Sequence, residues 1–331
     1  MSQTFSLKYR PTSFGGLVGQ SVLVKAIRNQ YLSKREPTAW LFHGETGGGK
    51  TSLARILALS LQCDHQEEFG NPCKECRKRK TDFNIFEINA SEVSGVEAVG
   101  DVVQTSNFAP LPPSKKRVYI LDEAQRLSSA AQNLLLKYFE DAPKSTVWII
   151  CTTEPGKILR TLRRRCLQYP LTPLKMASIK TLVASIIEKE KLQIEIEGFL
   201  DAAFQSRLTS PGLILMALEK YVAGVSPETA VQGGETAIDT LRLNRAIVKG
   251  DLETVHQELK SATVEDARVI RSSVCQYLTT ILLGTLSPGN NLSWGIEKLA
   301  EASRVEESVQ LPYTIAMLHI LCRKFGGGKA E

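Results

Sequence analysis

With 331 residues, 43% of them apolar and 23% charged, the chain has material for two or three separately packed cores and is too apolar for a disordered protein. No apolar run reaches membrane-spanning length and the opening Met1-Ser2-Gln3-Thr4-Phe5 lacks a signal-peptide core, so no membrane association is expected and the cytoplasm is the expected location. A net charge of +6, from 41 basic and 35 acidic side chains, leans towards polyanionic partners, nucleotide and nucleic acid alike.

In chain order, residues 1–170 alternate helical and strand patterns, the signature of an α/β domain with a parallel sheet. Helices are predicted over Val22–Leu32, Ser52–Leu61, Gly95–Thr105 and Ser129–Phe139. Between them lie the short apolar runs Ala39–Phe42, Ile85–Ile88, Val118–Leu121 and Val147–Cys151, which suit strands buried on both faces. Pro170 and Pro173 punctuate the chain, and after them the pattern is helical only. Met176–Lys191, Ile196–Leu208 and Pro211–Ala223 form a small helical piece within 171–224, and the polar stretch from Gly224 to Gly234 reads as a connection. Residues 235–325 read as an all-α domain containing helices Arg268–Leu283 and Pro312–Lys324, and 326–331 as a disordered tail.

The strongest motif follows the first strand. Gly44-Glu45-Thr46-Gly47-Gly48-Gly49-Lys50-Thr51 is a complete G-x-x-x-x-G-K-[ST] loop opening a helix at Ser52. Its glycines let backbone N–H groups crowd around phosphate oxygens, and the helix dipole adds to the attraction. Lys50 is then expected to reach the β- and γ-phosphates of ATP, and the Thr51 hydroxyl to ligate Mg²⁺. Val118–Leu121 ends in Asp122-Glu123, which pairs with this loop: Asp122 to hold Mg²⁺ and Glu123 to act as general base on the attacking water. The strand Val147–Cys151 runs into Thr152-Thr153, where Thr153, with Thr152 as the alternative, would sense the γ-phosphate. The basic run Arg160–Cys166 reads either as a charged turn or as the source of an arginine acting on a neighbour's nucleotide. Of seven cysteines, Cys63, Cys73 and Cys76 cluster in one loop, which in a cytoplasmic chain points to metal before disulfide.

These motifs resemble those of the AAA+ clamp-loader ATPases, the family of the bacterial DNA polymerase III gamma/tau and delta-prime subunits. The resemblance rests on Lys8-Tyr9-Arg10-Pro11 with Val18-Gly19-Gln20, Phe86–Ser91 with Gly95-Val96, Tyr119–Gln125, Asn133–Lys137, Cys151–Pro155 and Arg164-Arg165-Cys166, and so covers residues 5–170. It implies an AAA+ P-loop domain, a helical lid and a helical collar that holds a ring of five subunits. It also implies an adenine pocket at Tyr9, Arg10, Pro11 and Val18, and a trans-acting arginine at Arg165. The implied partners are other loader subunits, a sliding clamp and the phosphate backbone of primer–template DNA. Two departures stand out. The family's four zinc cysteines are three here, with Arg79 at the fourth position and His65 the candidate replacement ligand. In the lid, Gly212 of Ser210-Pro211-Gly212 stands where the ATPases carry a sensor arginine, a form closer to delta-prime. The alternatives are therefore a structural loader subunit with weak or no turnover, and another AAA+ DNA-remodelling ATPase.

Overall fold

A computed structural model describes residues 4–78, 83–93, 95–112, 114–141, 143–231, 240–260, 262, 270–271, 273–275, 277–278, 297 and 307–326. The chain divides into two compact units, Met1–Val231 and Gln232–Glu331.

The first unit is built on a five-stranded sheet of order β2-β3-β4-β1-β5, from β1 Ala39–His43, β2 Ile85–Asn89, β3 Arg117–Asp122, β4 Thr146–Thr152 and β5 Leu167–Pro170. Every neighbouring pair is parallel. Side chains alternate across such a sheet with period two, so the apolar strands feed two cores. Trp40, Phe42, Val118, Ile120, Val147 and Ile149 pack on one face against Ile27 of α2 (Ser21–Leu32) and Leu53, Ile56 and Leu57 of α3 (Lys50–Gln62). Leu41, Tyr119, Leu121, Trp148 and Ile150 face the other side. There they meet Val99 and Val103 of α5 (Val96–Thr105), Leu135 and Phe139 of α6 (Ser129–Asp141), and Leu162 of α7 (Arg160–Arg165). The central strands are buried except at His43, Arg117 and Asp122 at the ends of β1 and β3, whereas β2 and β5 at the sheet edges are only partly covered.

Strands β1 to β4 and helices α2, α3 and α6 run slightly beyond their expected bounds, whereas Val96–Thr105, Met176–Glu190, Glu197–Gln205 and Pro211–Val222 stop short of theirs, and short pieces are added. Strand β5 is absent from the sequence reading; it is four residues long, half-exposed, and exists through its pairing with β1. Helices α1 (Phe5–Lys8) and α4 (Lys74–Lys78) are too short for a helical period to show. The run Arg160–Arg165 is a helix rather than a turn, anchored by buried Leu162. Within the expected polar connection, Pro227–Val231 is also helical (α11), because Ala230 and Val231 bury against the preceding helices.

Helices α8 (Met176–Glu190), α9 (Glu197–Gln205) and α10 (Pro211–Val222) share a core of Ile179, Val183, Phe199, Ile214 and Leu218. Phe5, Tyr9 and Val18, from the start of the chain, pack against this core. In the second unit, α12 (Thr240–Lys249), α13 (Leu252–Leu259) and α14 (Glu307–Gly326) contribute Leu243, Ile247, Val255, Leu318 and Leu321 to one cluster. Helix α14 runs through Pro312, where the sequence reading began it, and includes Gly326. The remainder of the expected tail, most of Arg268–Leu283 and Arg79 lie outside the described residues.

Candidate nucleotide site

The carboxyl ends of β1, β3 and β4 open on one edge of the sheet, where ligands of open α/β sheets bind. The glycine-rich loop leaves β1 there. Gly47 and Gly49 hold φ of 71° and 96°, a region L-residues enter only under strain, and Gly49 is the N-cap of α3. The 13-residue helix behind it supplies the unpaired N–H groups and dipole of an anion site. Lys50 is 6% exposed, and its ammonium donates to Gly44 O at 2.9 Å and Glu45 O at 2.8 Å. Burial lowers its pKa below the ordinary lysine value, against the raising effect of Cys151, Glu123, Asp122 and Glu45.

Thr51 and Asp122, separated by 71 residues, meet here: the Thr51 hydroxyl donates to Asp122 Oδ2 at 2.7 Å. A hydroxyl beside a carboxylate at a helix N-terminus is an oxygen donor set suited to Mg²⁺. Glu123 follows in the left-handed region, φ 52° and ψ 38°, with its N–H donating to Asp122 Oδ1 at 3.0 Å. Gln125 Nε2 donates to its carboxylate.

These groups border a cavity of about 340 Å³, within the range of small-molecule sites. Its lining includes Tyr9, Arg10, Pro11 and Val18, the loop from Thr46 to Ser52, and Glu123. Gly44 and Glu45 serve from behind, as acceptors for Lys50. Tyr9 is tied to the end of α8, since its hydroxyl donates to Glu190 Oε1 and Lys8 Nζ reaches the same oxygen at 2.5 Å. Thr153 is half-buried just past β4 and outside the lining; its N–H donates to Gln125 Oε1 at 3.3 Å. Thr152 is fully buried, with its hydroxyl proton committed to Gln125 Oε1 at 2.8 Å. Arg165 lies away from the cavity on α7, donating to Thr161 O at 3.1 Å and paired with Glu140.

Several lining residues escaped the sequence reading. Leu182, Pro211, Leu213 and Met216 close the cavity from the helical side, and Leu7 and Leu17 from the N-terminal side, beside buried Gln20 of the Val18-Gly19-Gln20 motif. Apolar residues at helical spacing read as core, so nothing local marks those of α8 and α10 as cavity wall. Gly212 has a role that its reading as a missing arginine did not foresee. Its N–H donates to Gly47 O at 3.0 Å, and a Cβ there would stand 3.1 Å from Gly47 Cα and O. Ser210 Oγ donates to Thr46 O at 2.7 Å, and Thr209 Oγ1 to Glu45 Oε2 at 3.2 Å. The start of α10 thus rests directly on the phosphate loop.

A second cluster lies in the cysteine loop, which Phe69 seats on the domain core by stacking on Tyr31 at 3.7 Å. The Cys63, Cys73 and Cys76 sulfurs lie within 4.8 Å of one another. Cys73 N–H points at Cys63 Sγ (3.3 Å) and Cys76 N–H at Cys73 Sγ (3.5 Å). The latter N–H holds the Cys73 thiol below its ordinary pKa, while burial and the adjoining thiols push Cys76 up to about 12. Such crowding of thiols is relieved when a cation lets all three ionise. His65 is not brought into this cluster, and Arg79 lies outside the described residues.

Comparison with known proteins places this geometry. A family model described as DNA polymerase III, delta subunit, matches residues 19–175. The DNA polymerase III gamma subunit of Buchnera aphidicola subsp. Baizongia pistaciae is 29% identical over 94% of this chain and 89% of its own. The tau subunit of Bacillus subtilis is 30% identical over 91% of this chain. The chain belongs to the family of the DNA polymerase III gamma/tau subunits. It spans about half of the B. subtilis protein, 54%, and the match to the gamma/tau subunit of Mycobacterium tuberculosis covers 39% of that protein at 34% identity. Two solved variants of Thermotoga maritima RuvB superpose with TM-scores of 0.50 and 0.51 at 17% identity, covering 94% and 93% of this chain and 90% and 91% of theirs. That likeness establishes the AAA+ P-loop fold for the family member described here. Among the described residues, no helix is long and apolar enough to cross a membrane.

Proposed function

We propose that the chain is an ATP-dependent clamp-loader subunit of a DNA replisome, acting in the cytoplasm within a ring of five loader subunits, as the family resemblance implies. The observation that carries this reading is the contact of Thr51 Oγ1 with Asp122 Oδ2 at 2.7 Å, beside a cavity that Lys50 and Glu123 both line. Tyr9, Arg10, Pro11 and Val18 receive the adenine, and the loop from Gly44 to Ser52 receives the phosphates. Thr51 and Asp122 would hold Mg²⁺, which would supply positive charge beside the phosphates. Lys50 stabilises the transferring phosphate, Glu123 takes the proton of the attacking water, and Thr153 senses the γ-phosphate. Arg165, pointing away from its own cavity, acts on the nucleotide of the adjacent subunit. ATP binding orders the ring around the sliding clamp and the primer–template phosphates, and hydrolysis releases the loaded clamp.

The three converging thiols fit a soft or borderline cation, so Cys63, Cys73 and Cys76 would hold Zn²⁺ as a structural ion with a fourth ligand from elsewhere. The contact of α10 with the phosphate loop, made through Gly212 rather than an arginine, favours a second reading in which turnover is slow and nucleotide acts as a conformational ligand.

The reconstituted loader tests both. Lys50→Ala should lose ATP affinity roughly 10- to 100-fold, as expected for losing a charge-assisted phosphate contact. Glu123→Gln should bind ATP normally and hydrolyse it about 10²- to 10⁴-fold more slowly, the scale of a lost general base. Clamp loading at the wild-type rate by Lys50→Ala would remove the ATP-driven reading, and equal ATPase in wild type and Glu123→Gln would favour the slow-turnover one.

A further inference from the structure

Gln125 lies two residues past Glu123, in the 3-10 turn Ala124–Arg126, and is bonded on both sides of its amide. Its Oε1 accepts two donors, Thr152 Oγ1 at 2.8 Å and Thr153 N at 3.3 Å. A backbone N–H can only donate, so the oxygen of the amide must face β4. The nitrogen is then forced to the opposite side, where Nε2 donates to Glu123 Oε2. Thr152 is locked in turn: its hydroxyl oxygen accepts Glu154 N–H at 3.1 Å, which directs the hydroxyl proton to Gln125. The result is a directed chain, Glu154 N–H to Thr152 O–H to Gln125 Oε1, and Gln125 N–H to the Glu123 carboxylate.

At its far end the backbone is strained. Glu123 holds φ 52°, a region that strains a non-glycine residue and that persists where surrounding contacts over-determine it. The Asp122 carboxylate caps the Glu123 N–H, which fixes the backbone, but the side chain still has its own rotors. Gln125 supplies the side-chain contact that removes that freedom.

We propose that Gln125 is the positioning residue of the catalytic glutamate: it aims the Glu123 carboxylate at the cavity and couples that aim to the Thr152–Thr153 end of β4. The proposal rests on the reading of Glu123 as general base. A displacement of the base by about 1 Å is enough to cost on the order of 10²-fold in rate, and binding of nucleotide does not depend on it.

The test is single-turnover ATP hydrolysis by the full chain in its assembled ring, together with titration of a fluorescent ATP analogue and thermal melting. Gln125→Glu keeps size and the acceptor towards Thr152 and Thr153 but presents an oxygen to Glu123 in place of the N–H. Its kcat should fall on the order of 10²-fold with KM and analogue affinity unchanged. Gln125→Leu should behave alike, so that failure of one variant to fold leaves the other as the test. In the Glu123→Gln background either substitution should have no further effect, because the group being aimed is gone. Wild-type kcat in Gln125→Glu overturns the proposal, as does a rise in kcat, which would make the bond a restraint. Additive losses in the double variants overturn it too. Hydrolysis at the wild-type rate by Glu123→Gln is a distinct failure: it removes the base assignment, and this proposal with it.

Discussion

Glu190 shows how a single residue far along the chain can shape the cavity. It lies at the end of α8 yet accepts from Tyr9 Oη and Lys8 Nζ, holding the N-terminal wall against the helical side. Those hydrogen bonds, Lys8 first and Tyr9 second, keep its carboxyl below the ordinary 4.5. A carboxylate with a depressed folded pKa stabilises above its unfolded value and loses that stabilisation as pH falls through the folded one. Melting temperatures of wild type and Glu190→Gln should therefore differ at neutral pH and converge as pH falls from the ordinary 4.5 through the lower folded value. ATP affinity of the variant should fall by at most about fivefold at neutral pH, the scale of a solvent-exposed pair. A melting difference that is the same at neutral and acid pH would dismiss the ionic tie. Glu190 itself carries no motif, and nothing in the segment 176–190 announces that it meets Tyr9 and Lys8.

At the scale of elements, the junction of α10 with the phosphate loop is a backbone-to-backbone approach. Gly212 N–H meets Gly47 O, and a Cβ at Gly212 would press on Gly47 backbone atoms at 3.1 Å. Gly212→Ala gains up to about 1 kcal/mol of helix propensity, whereas overpacking typically costs about 1–3 kcal/mol when the neighbour cannot yield. The variant should melt lower than wild type; a higher melting temperature would show that the loop gives way. The cysteine loop makes a second prediction. Purified protein should carry close to one equivalent of zinc and lose it in Cys73→Ser, and chelation should lower the melting temperature. Under a tenth of an equivalent in wild type would end the zinc reading.

These elements were unevenly legible. Strands β1, β3 and β4 were visible because burial on both faces demands an uninterrupted apolar run, and the helices covering them because one stripe must be apolar. Strand β5 was not, because its four residues alternate in exposure and its existence depends on pairing with β1. Helices α4, α7 and α11 are shorter than two turns, so their stability comes from the buried Cys76, Leu162 and Ala230-Val231 rather than from local pattern.

For the whole molecule, the position of Arg165 carries the consequence. From α7 it pairs with Glu140 of α6, and it does not line its own chain's cavity. If it serves a neighbour, Arg165→Ala should leave ATP affinity of the isolated chain intact and slow hydrolysis in the assembled ring, by roughly 10³-fold or more where such an arginine operates fully. Mixing variant and wild-type chains should then reduce turnover at the site facing the variant. Equal slowing in the isolated chain would place its effect within one subunit.

By itself the sequence determined the phosphate loop, Asp122-Glu123 and the alternation of strands and helices. Those features are local: a tight glycine turn, a strand end or a helical stripe is dictated by residues a few positions apart. The tertiary structure alone decided which distant groups complete the site. Thr51 meets Asp122 across 71 residues, Gln125 bridges Glu123 to Thr152, and Gly212 rests on Gly47. Such contacts are set by sheet order and by how α10 packs, and the free energy that holds them is spread over buried cores rather than written in any short segment.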